Sequence, residues 1–220
     1  MTAPVPPDRL PKGPHHLSRE QVDASQRQRI LDASLDVVGE HGYAAATVAH
    51  ITTAAGISRT TFYEQFRSKE DAFLTAYDEF GRGFLADIGQ VAGVAPAEIL
   101  SAAAGQLVDW GRRRPFACRA FLVEIHAVGE AGLKHRDRAM RRAEKLFDQV
   151  AAWVRSVDPD LPAPPPLVGR AVVAASWELT AQGIRASRDT RAETREALAY
   201  IWLLGLTGRP QLSVLNAAMG

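Results

Sequence analysis

Between Thr47 and Lys69 the chain reads TVAHITTAAGISRTTFYEQFRSK, a stretch crowded with hydroxyls, two arginines and one tyrosine around a central glycine. Hydroxyl, guanidinium and amide groups are those that hydrogen-bond phosphates and base edges. Their spacing gives the setting. Thr47 heads a run whose inner face is Val48, Ile51 and Ala55; after Gly56, Ser58 heads a second run with Phe62 and Phe66 at i, i+4. Two short helices meeting at a sharp turn form a helix-turn-helix. A major groove about 12 Å wide admits one helix, while the preceding helix crosses the backbone. Ser58, Arg59, Thr60 and Thr61, at the start of the second helix, are then the candidates to meet base edges. Arg59 suits a bidentate contact with guanine, and a threonine offers a hydroxyl together with a methyl for thymine. Thr47, Tyr63, Gln65 and Lys69 stand around them as candidates for phosphate.

Little else in the chain points to chemistry. It has no G-x-S-x-G, no H-E-x-x-H and no glycine loop to cradle a phosphate, so no catalytic residue and no cofactor is expected. The six histidines (15, 16, 41, 50, 126 and 135) include no i, i+4 pair with an acidic partner in register, so no metal site is expected. Cys118, the single cysteine, has no internal disulfide partner and reads as a small buried hydrophobe. The most basic run, KHRDRAMRR at 134–142, reads as a solvated helix face rather than a second DNA site. Arg112, Arg113 and Arg114 close a helix, where cations favour the negative end of the dipole.

The elements that position these groups are helical. The chain has 220 residues, 46% of them hydrophobic and 23% charged, with a net charge of +1. That composition excludes a wholly disordered chain. No stretch is long and apolar enough for a membrane span, and residues 1–16 lack the apolar core of a secretory signal, so a cytoplasmic protein is expected. Five prolines in residues 4–14 and five in 159–166 mark an arm and a stiff interhelical loop. The rest predicts an all-α fold of about nine helices: 25–41, two short ones around Gly56, one opening at Ser68, then 97–113, 115–128, 132–156, 167–187 and 190–205. The divisions expected are a disordered arm at 1–24, a three-helix reading domain at 25–70, a larger helical domain at 71–208 and a tail at 209–220. The last two helices are apolar over more of their circumference than one core face needs. Trp177, Ile184, Leu198, Ile201 and Trp202 are therefore candidates for a homodimer interface.

Residues 25–80 resemble the DNA-binding domain of the TetR-type (tetracycline-repressor) family of bacterial regulators. The resemblance rests on Ile30-Leu31, Gly42-Tyr43, Thr47, Ala54-Ala55-Gly56-Ile57-Ser58, Thr61-Phe62-Tyr63, Phe66 and Ser68-Lys69-Glu70. It implies a homodimer reading a palindromic double-stranded operator, and a C-terminal domain that binds a small effector and changes DNA affinity. In that domain Trp110, Phe116, Phe121, Phe147 and Trp177 are candidates to line a pocket for a largely apolar ligand, with Glu124 and His126 as polar anchors. Two positions depart from the family pattern: Thr52 stands where alanine is common, and Gln65, beside Glu64, where histidine is common. Charge raises an objection. Residues 18–71 hold six Lys/Arg and eight Asp/Glu, a net of −2, whereas DNA-binding domains lean basic. The expectation is that Asp32, Asp36 and Glu40 face away from DNA. The competing expectation is an all-α small-molecule-binding protein or enzyme that uses the helix-turn-helix only as scaffold.

Overall fold

The computed structural model describes residues 18–90, 96–186 and 189–208. The expected tail and most of the expected arm lie outside the described residues. Those described form nine α-helices and no strand: α1 Arg19–His41, α2 Val48–Ala55, α3 Arg59–Gln65, α4 Lys69–Gly89, α5 Pro96–Arg113, α6 Pro115–Leu122, α7 Glu130–Val157, α8 Val168–Arg185 and α9 Arg191–Thr207, with a 3-10 turn at Glu124–Val128.

Local capping explains most boundaries. α1 starts at Arg19, inside the segment expected as arm, because Ser18 and Gln21 form a reciprocal capping box: Ser18 Oγ accepts from Gln21 N, and Gln21 Oε1 from Ser18 N. Thr47, Ser58 and Ser68 cap α2, α3 and α4 in turn, each hydroxyl accepting an amide three residues on. The helix expected over 115–128 breaks at Val123. The chain there doubles back so closely that a Cβ on Gly132 would lie 2.3 Å from the Ile125 carbonyl oxygen, so 124–128 winds as a 3-10 turn before α7.

Helices α1 to α4 share one core, with Ile30, Val38, Ile51, Phe62, Phe73 and Tyr77 fully buried. That core runs without a seam into α6 through Phe121 and Leu122 and into the 3-10 turn through Ile125. The closest approach is at Gly39 of α1, where a Cβ would stand 1.9 Å from the Phe116 carbonyl oxygen. Only hydrogen fits there. Farther along α4, Phe84 packs with Leu107 and Leu198, while Leu100, Ala151, Leu203 and Leu206 close a third cluster between α5, α7 and α9.

Candidate functional site

Gly56 ends α2 in the left-handed region, at φ 63° and ψ 42°, where a side chain would be strained. The Arg29 guanidinium on α1 donates to the Ala55 carbonyl at 3.0 Å, so the turn is held from behind. Thr52, the departure from the family pattern, is buried; its hydroxyl donates to the Ala49 carbonyl at 3.1 Å and brings no unpaired polar group into the core. Phe62 and Phe66 anchor α3 from below, and the Arg27 guanidinium lies 4.6 Å from the centre of the Phe66 ring. What α3 turns outward is Ser58, Arg59, Thr60, Tyr63 and Glu64. Tyr63 is 51% exposed, its ring edge-on to Phe62. Thr47 is exposed at the start of α2, while Thr61 and Gln65 are half-buried. Thr61 Oγ1 lies 3.0 Å from Ser58 Oγ, so these two hydroxyls are engaged with each other.

Lys69 is placed differently from its expectation as a free phosphate ligand. Its Nζ donates to the carbonyls of Tyr43 (2.7 Å) and Ala46 (2.9 Å) and sits 4.2 Å from the Tyr43 ring centre. Burial pulls its pKa below the ordinary lysine value. Two of its three donors thus tie the α1–α2 loop to the start of α4.

Two of the three acidic residues singled out on α1, Asp32 and Asp36, meet Arg114. Arg114 Nη1 donates to Asp32 Oδ1 at 2.8 Å, and Nη2 reaches both oxygens of Asp36 at 3.4 Å. Arg114 is therefore an interhelical clasp and not merely a helix end. Burial works against its charge, but Asp36 and Asp32 outweigh that and hold it above the ordinary arginine value. For Asp36, burial pushes the carboxyl up further than Arg114 pulls it down.

A cavity of about 200 Å³ lies between α4, α5, α7, α8 and α9, with α6 contributing Phe121. Of the pocket candidates, Phe121, Phe147 and Trp177 line it, alongside Phe84, Leu107 and Trp202. The other pocket candidates do not. Trp110 stacks behind the wall, 4.3 Å from Phe80 and 4.2 Å from Phe84 in ring centres. Phe116 is 44% exposed, because its backbone, not its ring, meets α1. His126 is exposed, with Nδ1 3.1 Å from the Val123 carbonyl. Glu124 points to the reading head: Oε2 accepts the Tyr43 amide at 3.0 Å and Oε1 meets Arg119 at 3.3 Å. Among the described lining residues the one polar side chain besides the two indoles is Ser176, whose Oγ donates to the Val172 carbonyl and accepts from Trp202 Nε1, both at 2.7 Å.

The expected dimer residues are mostly turned into their own subunit. Leu198 is fully buried, Trp177 and Trp202 line the cavity, and Ile184 and Ile201 are half-buried against the core clusters. The outward apolar positions of α9 are Tyr200 and Leu204, at i, i+4, and α8 exposes Ala171. Cys118 is fully buried with its thiol pushed up by burial, which leaves it unreactive. The basic run is also more than a solvated face. His135, Arg138 and Arg142 converge on Asp78 of α4 at 3.1, 3.8 and 3.5 Å, a link between α4 and α7 that periodicity could not show. No group of three or more His, Cys, Asp or Glu able to hold a metal occurs among the described residues, and none of their helices is long and apolar enough to cross a membrane.

Residues 30–76 match the family model described as bacterial regulatory proteins, tetR family. Curated relatives include the uncharacterized HTH-type transcriptional regulator YerO of Bacillus subtilis, 31% identical over 96 residues, which cover 41% of this chain and 33% of that protein. Another is the HTH-type transcriptional repressor KstR of Mycobacterium tuberculosis, 27% identical over 134 residues, covering 60% of this chain and 59% of that one. The chain thus spans about a third and about three-fifths of these two relatives' lengths. Among solved structures, the transcriptional regulator FadR from Bacillus subtilis in complex with stearoyl-CoA superposes with a TM-score of 0.66 at 16% identity, covering 83% of this chain and 98% of that one. The likeness extends past the reading head to the fold of the whole described chain. Residues 30–76 thus carry the helix-turn-helix of the tetR family of bacterial regulatory proteins, and the described chain shares the fold of that solved structure.

Proposed function

We propose that the protein is a homodimeric, sequence-specific DNA-binding transcriptional repressor of the cytoplasm, released from a palindromic operator by a small, largely apolar effector. The observation that carries this reading is the exposed face of α3. A seven-residue helix stands on Phe62 and Phe66 and turns Ser58, Arg59, Thr60 and Tyr63 outward, with no role for them in the core. Arg59 and Thr60 read base edges, Tyr63 and Thr47 bind phosphate, and Lys69 acts by holding the α1–α2 loop in place. The subunits pair through the outward faces of α8 and α9, around Tyr200 and Leu204. The cavity supports effector control, since the helix that leaves the reading head, α4, also lines it with Gly81, Phe84, Leu85 and Ile88. A ligand that displaces those side chains shifts α4 and with it the distance between the two reading heads.

Selection of random or genomic DNA by the purified protein, followed by anisotropy, tests the reading. A palindrome should be enriched. Arg59→Ala should weaken binding and relax preference at one base position by about 1–3 kcal/mol, while Tyr63→Ala should weaken all sequences alike. A folded dimer that enriches no sequence at low salt would leave the helix-turn-helix as scaffold.

A further inference from the structure

The walls of the cavity define what can enter it. Among its described lining residues there is no Asp, Glu, Lys, Arg or His. The polar side-chain atoms of those described residues are three: Ser176 Oγ and the indole nitrogens of Trp177 and Trp202. The Trp202 N–H is already given to Ser176, and the Ser176 proton to the Val172 carbonyl. A serine hydroxyl has two acceptor lone pairs, so one remains. The lining therefore offers one acceptor, the Trp177 N–H, and no charge. Arg136 comes near, 5.4 Å from the Trp177 ring centre, but it is engaged with that ring and does not line the cavity.

Size narrows the choice further. A dry apolar cavity of about 150 Å³ takes one benzene, six carbons. Scaled to the 200 Å³ here, the same packing holds about eight carbons. The α4 side of the lining runs from Gly81 to Gly89, a rise of about 12 Å, so the space is elongated.

We infer that the effector site takes a neutral, hydrocarbon-like molecule of about eight carbons with at most one hydroxyl, and rejects carboxylates and long acyl thioesters of nucleotides. The inference rests on reading the C-terminal domain as an effector domain, and it names the ligand class. A hydroxyl can both donate to Ser176 and accept from Trp177. A carboxylate only accepts, and it would enter a wall without a cation, where an unpaired ion carries a large desolvation cost. An eighteen-carbon chain exceeds the volume about twofold.

Matched probes test this with the full-length protein: octan-1-ol, octanoate and stearoyl-CoA, each followed by calorimetry and by tryptophan fluorescence, since Trp177 and Trp202 line the space. Octan-1-ol should bind at least about a hundredfold more tightly than octanoate, the factor expected when an ion loses water without a partner. Ala143→Leu, which fills the lining, should abolish octan-1-ol binding while leaving the helical circular dichroism intact. Val173→Phe serves the same purpose if the first variant misfolds. Octanoate or stearoyl-CoA binding as well as octan-1-ol, octan-1-ol binding that survives both filled variants, or no binding of any probe would each overturn the inference. Operator release is scored separately by anisotropy. Octan-1-ol that binds without freeing DNA upholds the ligand class and sinks the release reading, and release by stearoyl-CoA does the reverse.

Discussion

Glu124 is the residue whose removal best tests the physical account, because its chemistry and its position suggest different roles. As a carboxylate among aromatics it reads as a ligand anchor, yet its Oε2 accepts the Tyr43 amide, 81 positions away, at 3.0 Å. Its side chain is only 13% exposed, and Arg119 opposite is 46% exposed. A hydrogen bond to a charged, nearly buried acceptor contributes about 1.5–3 kcal/mol. The half-exposed ion pair with Arg119 adds at most about 1 kcal/mol. Glu124→Ala also strands the Tyr43 N–H, so the loss should be about 2–3 kcal/mol, or about 5–10 °C in melting temperature for a chain of this size. Glu124→Gln keeps an acceptor for that amide and should lose about 1 kcal/mol or less, as should Arg119→Ala. Thermal melts at one fixed protein concentration measure all three, since the proposed dimerisation would make the midpoint depend on concentration. Affinity for a cavity probe such as octan-1-ol should be unchanged in every variant. An alanine variant that melts with the wild type, or one that loses probe binding while keeping its stability, would refute the assignment of Glu124 to the joint between reading head and C-terminal helices.

Gly39→Ala should destabilise the protein by about 1–3 kcal/mol or more in denaturant melts, because the new methyl meets backbone of α6 and not a movable side chain; a neutral effect would mean that α1 and α6 separate freely. Asp36→Asn tests the sign of a burial effect. The folded state raises the Asp36 carboxyl above its ordinary value of 3.8, so the native state binds a proton more readily than the unfolded chain. Wild type should then gain stability relative to the variant as the pH falls from neutrality through the raised pKa towards 3.8, and lose that gain as the pH rises. The side chain is 48% exposed, so the difference should be only a few tenths of a kcal/mol; melts showing the opposite trend would mean that Arg114 outweighs burial.

The reading head was legible in the sequence because its determinants are local. Thr47, Ser58 and Ser68 cap helices through amides three residues on, and Gly56 supplies a backbone conformation that neighbouring residues alone demand. The pattern Ser18-x-x-Gln21 was equally local and marks the true start of α1, although the proline-rich arm beside it suggested otherwise. What could not be read was which interior an apolar or polar side chain faces. Periodicity places Leu198 and Trp202 on an inner face but does not say whether that interior lies within the subunit or between two. Here Leu198 meets Phe84 and Leu107, and Trp202 reaches Ser176. Lys69 and Glu124 carry charges that suggest ligands, and only the folded chain shows them bonded to main-chain groups 23 to 81 positions away.

Those same contacts reduce the charge deficit of the reading head and yield a number. Arg114 offsets one of the two charges of Asp32 and Asp36, on the side of α1 that faces α6. Lys69 is held by carbonyls. The cations turned outward on α3 and the turn after it are Arg59 and Arg67, the latter 95% exposed and paired only at 3.9 Å with Asp71. Two per subunit make four per dimer, and at about 0.9 counterions released per phosphate the slope of log K against log salt should be about −4. If Arg9 and Lys12 of the arm and Arg19 at the start of α1 engage DNA as well, five per subunit would steepen it to about −9. The few outward cations and the tied lysine favour the shallow value, with most discrimination coming from short contacts at bases. Anisotropy on the selected operator across a salt series decides it. Arg67→Gln should flatten the slope by about 2 without altering base preference. A slope near −9 that Arg67→Gln leaves unmoved would show that the arm, and not the outward face of α3, carries the electrostatic part of binding.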